Sequence, residues 1–224
     1  MSDMNCLDEM EEDALRELFN LSFGRAAATL SEMVDGEISL SLPCVSLLSE
    51  EEMVRRLTDV YGSAIGMVGM RFRFVFAADR AIAGMAVLVL RAAEVVHLLD
   101  ALYGGHVPEE MVTQVEGEAM QSTGDVLLYT CVSSLSALLA SEIAGEVPCY
   151  YRGSLAALHA FLLPGAELAR AMEGDSALAQ WLLLRVDFAL LGKDVAGSLL
   201  LWMDGSALPI LKEGLDRFLA DPMG

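Results

Sequence analysis

Residues 13–43 read DALRELFNLSFGRAAATLSEMVDGEISLSLP, and residues 118–148 read EAMQSTGDVLLYTCVSSLSALLASEIAGEVP. Each stretch opens with helical spacing, passes through a run of small residues and closes on a proline in a strand-like segment. Asn20 precedes Pro43 by twenty-three positions, and Asp125 precedes Pro148 by the same interval. The chain reads as one unit duplicated, so chemistry is to be sought at two related places.

Working outward, Asp8 to Asp13 place acidic groups where the first helix begins, which suits the positive end of the helix dipole. Apolar residues at Leu15, Leu18, Leu21, Ala26, Leu30 and Met33 carry that helix to about Val34, with a stop at Asp35-Gly36. Residues 37–48 alternate as a strand containing Pro43, and Ser49 caps a short helix that ends at Tyr61. Two strand-like runs, 65–76 and 81–90, form a hairpin around residues 78–80, followed by a helix over 91–103 that ends at Gly104-Gly105.

The order then repeats. A second long helix runs from Pro108 to about Ile143, with Gly145 as its stop, and a strand covers 147–151. A helix follows at 164–172, then a hairpin of 181–191 and 196–203, and a closing helix over 208–219. Set side by side, MRFRFVFAADRAIAGMAVLVL and LLRVDFALLGKDVAGSLLLWM match in length, in their Asp-containing turns and in Gly84 against Gly197. Each half alone would leave an apolar sheet face uncovered. The expectation is therefore an α+β fold over residues 1–224. It is a single domain of two pseudo-symmetric halves, about 8–104 and 108–220, with an antiparallel sheet and two long helices and shorter helices packed on it.

Composition narrows the function classes. With 54% hydrophobic residues in 224, the chain can bury a sizeable core. A net charge of −19 disfavours nucleic-acid phosphates and anionic membranes, and no Lys or Arg run offsets it. The N-terminus lacks the pattern of a signal peptide, and the uncharged stretch 126–141 falls short of a membrane span, which points to a cytoplasmic protein without membrane insertion. The four cysteines make no C-x-x-C pair and read as reduced thiols, with Cys44 and Cys149 as small core residues. His97, His106 and His159 lack metal-ligand spacing, so no metal is expected. Gly62, Gly66 and Gly69 lack the lysine of a phosphate-binding loop.

Asp13, Glu17 and Asn20 stand at i, i+4 and i+7, so all three project from one helix face, with Leu15, Leu18 and Leu21 turned toward the core. Asp or Ser, three residues, Glu, two residues, Asn, twenty-two residues and Pro is the signature of the CheC, CheX and FliY phosphatases of bacterial chemotaxis. Asp13, Glu17, Asn20 and Pro43 fill every position of it, and the chain resembles CheC in particular. Two residues depart from the family: Phe19 stands where Gly is usual before the Asn, and Arg25 where a further Asn is usual.

The resemblance implies hydrolysis of the phospho-aspartate of a CheY-like response regulator. It implies no cofactor of the chain's own, because the regulator carries Mg²⁺. Phosphoryl transfer through a loose transition state asks mainly for positioning and charge balance. Asn20 is then the residue that orients water, Glu17 the one that pairs with a regulator lysine, and Asp13 a docking or structural support. In the second copy the equivalent positions hold Glu118, Ser122 and Asp125. An anionic Asp125 repels the phosphoryl group and Ser122 forms no ion pair, so that site is expected to be degenerate. A frame shifted by one turn would instead pair Glu118 with Gln121, breaking the interval to Pro148. Two other readings accompany the phosphatase: a largely non-catalytic module binding a regulator or a CheD-like receptor deamidase, and a flagellar switch component. The last ranks lowest, because little chain follows Leu219.

Overall fold

The computed structural model describes residues 7–62, 64–76, 81–105, 107–154 and 181–220. Helix α1 (Glu9–Val34) starts on a capping box in which Asp8 and Glu11 exchange side-chain and backbone hydrogen bonds of 2.9 and 2.8 Å. It ends at Asp35, whose φ of 45° is left-handed, and Gly36 N–H closes the last turn on the Ser31 carbonyl at 3.1 Å. Short strands β1 (Ile38–Leu40) and β2 (Cys44–Leu48) flank Pro43, and α2 (Glu50–Tyr61) follows on its Ser49 cap. The hairpin of β3 (Ala64–Val75) and β4 (Ala81–Arg91) leads into α3 (Ala92–Leu102).

Over its described residues the second half follows that order apart from a counterpart of α2: α4 (Glu109–Leu139), β5 (Glu142–Gly145), β6 (Cys149–Ser154), β7 (Trp181–Leu190), β8 (Val195–Asp204) and α5 (Ala207–Ala220). The expected turn at 78–80 and helix at 164–172 lie outside the described residues. One boundary differs in kind. Helix α4 does not run to Ile143; it stops at a left-handed Ala140, and Glu142–Gly145 becomes strand. That cap stands at the same 105-residue interval from Asp35 as Pro148 from Pro43, and Ser141 N–H reaches the Ser136 carbonyl at 3.1 Å just as Gly36 reaches Ser31. The hydrophobic pattern continued through the cap and hid it.

All eight strands are antiparallel neighbours in one sheet, in the order β1-β7-β8-β4-β3-β5, with β2 also on β7 and β6 also on β3. The edge strands are exchanged: β1–β2 of the first half pair with the hairpin of the second, and β5–β6 of the second pair with the hairpin of the first. Cys44 faces Arg185, and its equivalent Cys149 faces Gly69. Each prolyl break carries one extra residue on the edge side, a bulge suited to a residue with no N–H to donate. The backbone bridges the two bulges alike: Ser41 N–H donates to the Asp187 carbonyl at 2.7 Å and Glu146 N–H to that of Arg71 at 2.9 Å.

These registers relate β3 to β7 at 116 residues (Phe72 to Phe188) but β4 to β8 at 113 (Gly84 to Gly197). The hairpins therefore do not match in length; the first has three residues more at its turn. Phe72 lies opposite Gly84 and Phe188 opposite Gly197, so each ring covers a glycine across the ladder. In the β4–β8 ladder the equivalent residues Val87 and Leu200 face each other, which puts the internal twofold between them.

The centre of the sheet is buried on both faces. Against one lie α1, α3, α4 and α5, with Val68, Ala86, Leu88, Leu199 and Leu201 in the core between. Met53, Leu57 and Tyr61 of α2 pack on the other face against Met67, Val87 and Leu200. Helix α4 is long and apolar enough to cross a membrane by length and composition, and 56% of its most apolar window is buried inside the protein. Cysteines 44 and 149 are not core residues as expected: Cys44 is half-buried and Cys149 exposed, because each begins an edge strand.

The glycine pair gives a test of the twofold. The atoms nearest a Cβ at Gly84 would be side-chain atoms, Phe72 at 2.5 Å and Met203 at 2.8 Å, whereas one at Gly197 would also stand 2.6 Å from the Val89 carbonyl oxygen. Gly84→Ala should cost about 1–3 kcal/mol in urea unfolding, as overpacking does. Gly197→Ala should cost more, because a ladder carbonyl cannot swing away.

Candidate functional site

Helices α1 and α4 pack side by side, and equivalent positions are buried on both: Ala14 and Ala119, Leu15 and Met120, Phe23 and Leu128, Leu30 and Leu135. This shared inner stripe sends Asp13, Glu17 and Asn20 outward on α1, where all three are exposed. Asp13 accepts from Arg16 Nη1 at 2.8 Å, one turn on. The side chains of Glu17 and Asn20 make no hydrogen bond or ion pair with any described residue. Their polar groups are presented to whatever approaches the helix.

Leu21 does not turn toward the core. It is 62% exposed beside Asn20, one turn beyond Glu17 on the same face. The inner stripe at 15, 19, 23, 26 and 30 leaves it no room, since Phe19 and Phe23 occupy the inward positions with ring centroids 5.1 Å apart. Gly24 follows one turn after Asn20, exposed and with nothing within 4 Å of where a Cβ would stand. The outer face thus runs from carboxylates through a carboxamide and an apolar side chain to bare backbone.

On α4 the same places hold different groups. Glu118 and Ser122 are exposed at a cavity of about 280 Å³ shared with Met33, Leu102 and Tyr103. Asp125 is half-buried, and its Oδ1 is buried without a hydrogen-bond partner. Burial pushes its carboxyl above the ordinary aspartate range. At Gly24's place stands Tyr129, 45% exposed, a bulky side chain where α1 has bare backbone. The shifted frame fares no better, because the Gln121 amide donates to the Pro148 carbonyl at 3.0 Å and so braces the prolyl bulge. Glu17, Asn20 and Asp13 are together on one surface; Glu118, Ser122 and Asp125 share a helix face but not an environment.

The position before the carboxamide separates the two helices further. Gly124 brings α4 down onto β3, where a Cβ would stand 2.7 Å from Val68, while Phe19 wedges α1 away from the strands. The departure at Phe19 is therefore packing and points inward, and Arg25 is exposed.

Two buried carboxylates escaped the sequence reading. Glu11 is 7% exposed, and Lys212 of α5 reaches both its oxygens at 2.6 and 3.0 Å. Glu116, at the same 105-residue interval, is as deeply buried and pairs with Arg152. The interval alone would have linked the two acids, but their cations come from unrelated places in the halves. Together with the capping box, Lys212 holds the start of α1 one turn before Asp13. Among the described residues no cluster of three His, Cys, Asp or Glu could hold a metal ion, and His97 Nδ1 lies 2.8 Å from the Asp194 carbonyl.

No protein-family model matches the chain. Over 139 residues, 61% of its length, it is 21% identical to the flagellar motor switch phosphatase FliY of Bacillus subtilis (strain 168). That stretch is 34% of the relative, so the chain spans about a third of the curated protein it matches. The crystal structure of Thermotoga maritima FliY aligns with a TM-score of 0.64 over 95% of this chain and 98% of that one, at 19% identity. The chain has the CheC-like fold. A chain of the FliM–SpeE complex from H. pylori aligns at 0.52 over 97% of this chain and 98% of that one, with 8% identity. These similarities are to FliY and a FliM complex, so the resemblance read toward CheC in particular widens to the CheC, CheX and FliY superfamily.

Two measurements check this geometry. Lys212→Ala leaves Glu11 buried with one cation fewer and should cost about 1.5–3 kcal/mol, the worth of a charged hydrogen bond. Asp125→Asn tests the buried oxygen by linkage. A carboxyl whose folded pKa is raised binds more protons folded than unfolded above about pH 3.9, so stability falls as pH rises through that window. The Asn variant should therefore gain more stability at pH 7 than at pH 4 in parallel urea melts.

Proposed function

We propose that this chain is a phosphatase for the phospho-aspartate of a CheY-like response regulator, acting in chemotaxis or a related two-component circuit in the cytoplasm. The observation that carries the reading is that Glu17 and Asn20, three positions apart on the outer face of α1, are exposed and engaged with nothing else. Asn20 orients the in-line water, donating and accepting without adding negative charge beside the phosphoryl oxygens. Glu17 pairs with a lysine at the regulator's acyl-phosphate and sets the helix in register, while Asp13 supports docking. Such a helper supplies position and charge balance, which dominate catalysis through a loose transition state. Mg²⁺ belongs to the regulator; the chain brings no cofactor of its own. The likeness to proteins named as a switch phosphatase and its structural counterpart supports this reading.

The second face serves as a degenerate copy. Its Ser122 and Asp125 lack the pairing and the neutral carboxamide, and Tyr129 obstructs the approach that Gly24 leaves open. A binding role without hydrolysis, toward a regulator or a CheD-like deamidase, is the outcome if turnover is absent. A flagellar-switch role draws on the name of the FliY relative alone.

The test is the rate at which a phosphorylated regulator with Mg²⁺ loses its phosphate. Asn20→Ala and Glu17→Ala should each slow the stimulated rate by roughly 10²-fold, the scale of a misplaced reacting group. Gly24→Tyr should abolish stimulation by blocking approach, whereas Gly24→Ala should leave it near wild type. Unchanged rates in both alanine variants at 17 and 20 would overturn the assignment. In the second copy, Asp125→Asn with Ser122→Glu should gain turnover only when Tyr129→Gly is added.

A further inference from the structure

On the sheet face away from α1, a cavity of about 490 Å³ opens between α2, the edge strand β1–β2 and the β7–β8 hairpin. Its volume lies in the range of small-molecule sites. The walls are apolar at Met53, Leu57, Leu183 and Leu200, and Arg56, Arg91 and Arg185 line it together with Glu94 and Asp187. Three of the chain's 14 basic residues thus gather at one cavity in a chain of −19, each beside a carboxylate: Arg56 lies 2.9 Å from Glu52, Arg91 3.0 Å from Glu94 and Arg185 3.6 Å from Asp187. Arg91 is held by the Val60 carbonyl at 2.9 and 3.2 Å and by Glu94 at 3.0 Å, so its position is set in advance.

Polar groups are also built into the buried wall. The Tyr61 hydroxyl donates to Ser198 Oγ, and Ser198 in turn donates to Asp187 Oδ1. Burial pushes the Tyr61 phenol up to about 12, which keeps it a neutral donor. The fold itself does not ask for these groups. At the symmetric places on β4 and β3, Ser198 is replaced by Met85 and Arg185 by Gly69. The second half's hairpin thus brings an arginine and a hydroxyl to the cavity at two places where the first half's hairpin has a methionine and a glycine.

We propose that this cavity binds a small organic anion with an apolar body, of the aromatic carboxylate class, its rings against Leu57, Leu183 and Leu200 and its carboxylate at the arginines. The site is separate from Glu17 and Asn20, and the proposal does not rest on the phosphatase reading.

Calorimetric titration with 2-naphthoate, and with neutral 2-naphthamide as control, tests it on the whole chain. Cys44 lines the cavity and Cys149 lies outside it, so the rates at which iodoacetamide alkylates each, followed by peptide mass spectrometry, report where the probe sits. The acid should bind saturably and about tenfold more tightly than the amide, as one charge-assisted hydrogen bond provides. It should slow alkylation of Cys44 and leave Cys149 unchanged. Arg185→Gln should erase the preference for the acid while naphthamide binding stays, and Ala196→Trp should fill the cavity and remove the protection. Thermal melts identify which variants fold, and wild-type protection with Arg185→Gln suffices if the tryptophan variant does not. No saturable binding, equal affinity for acid and amide, equal protection of both cysteines, or undiminished binding by folded Ala196→Trp would each overturn the proposal.

Discussion

The antiparallel ladder between β4 and β8 is the contact on which the molecule depends. With Val87 opposite Leu200, it joins two hairpins that would otherwise each expose an unpaired edge, and the strands it brings to the centre are buried on both faces. The runs AVLVL and LLLWM are near-continuously apolar for that reason. Once this ladder forms, each outer strand of a hairpin offers its free edge to the other half's proline-broken segment. The halves become interdependent: neither can complete its own sheet.

That exchange determines how the long helices lie. Each leaves its left-handed cap straight into an edge strand, so its direction is set by the bulged pairing that follows, and the two must run side by side over one face. A scaffold this symmetric leaves side chains as the source of difference. Phe19 raises α1 from the strands where Gly124 lets α4 settle, and one helix presents Glu17, Asn20, Leu21 and Gly24 while the other presents Ser122, Tyr129 and a half-buried Asp125. The same economy operates across the sheet, where Ser198 and Arg185 occupy places that Met85 and Gly69 hold in the other half. In both cases a duplicated backbone carries different side chains at equivalent places.

Much of this was legible in the chain because it is local. Helix starts at Asp8 and Ser49, hairpins with glycines at 84 and 197, and outward spacing of 13, 17 and 20 all follow from capping, period and turn chemistry. Leu21 was misplaced because leucine at a near-helical interval suggests burial; which apolar residues go inside depends on how wide a stripe the neighbours cover, and Phe19 and Phe23 already filled it. The end of α4 was missed since Ala140 adopts a left-handed conformation that favours glycine, a strain sustained by the pairing of β5 with β3 rather than by its own residue type.

By itself the sequence determined the elements, their twofold order, the interval from carboxamide to proline, and which copy keeps Glu and Asn, because each is a matter of spacing along one segment. Only the tertiary structure decided that edge strands cross between halves, that the first hairpin is three residues longer at its turn, that Lys212 holds Glu11 from 201 residues away, and that Asp125 buries one carboxylate oxygen without a partner. Those depend on which surfaces meet when the two apolar sheets of hairpins join. No period in the chain encodes a neighbour that distant.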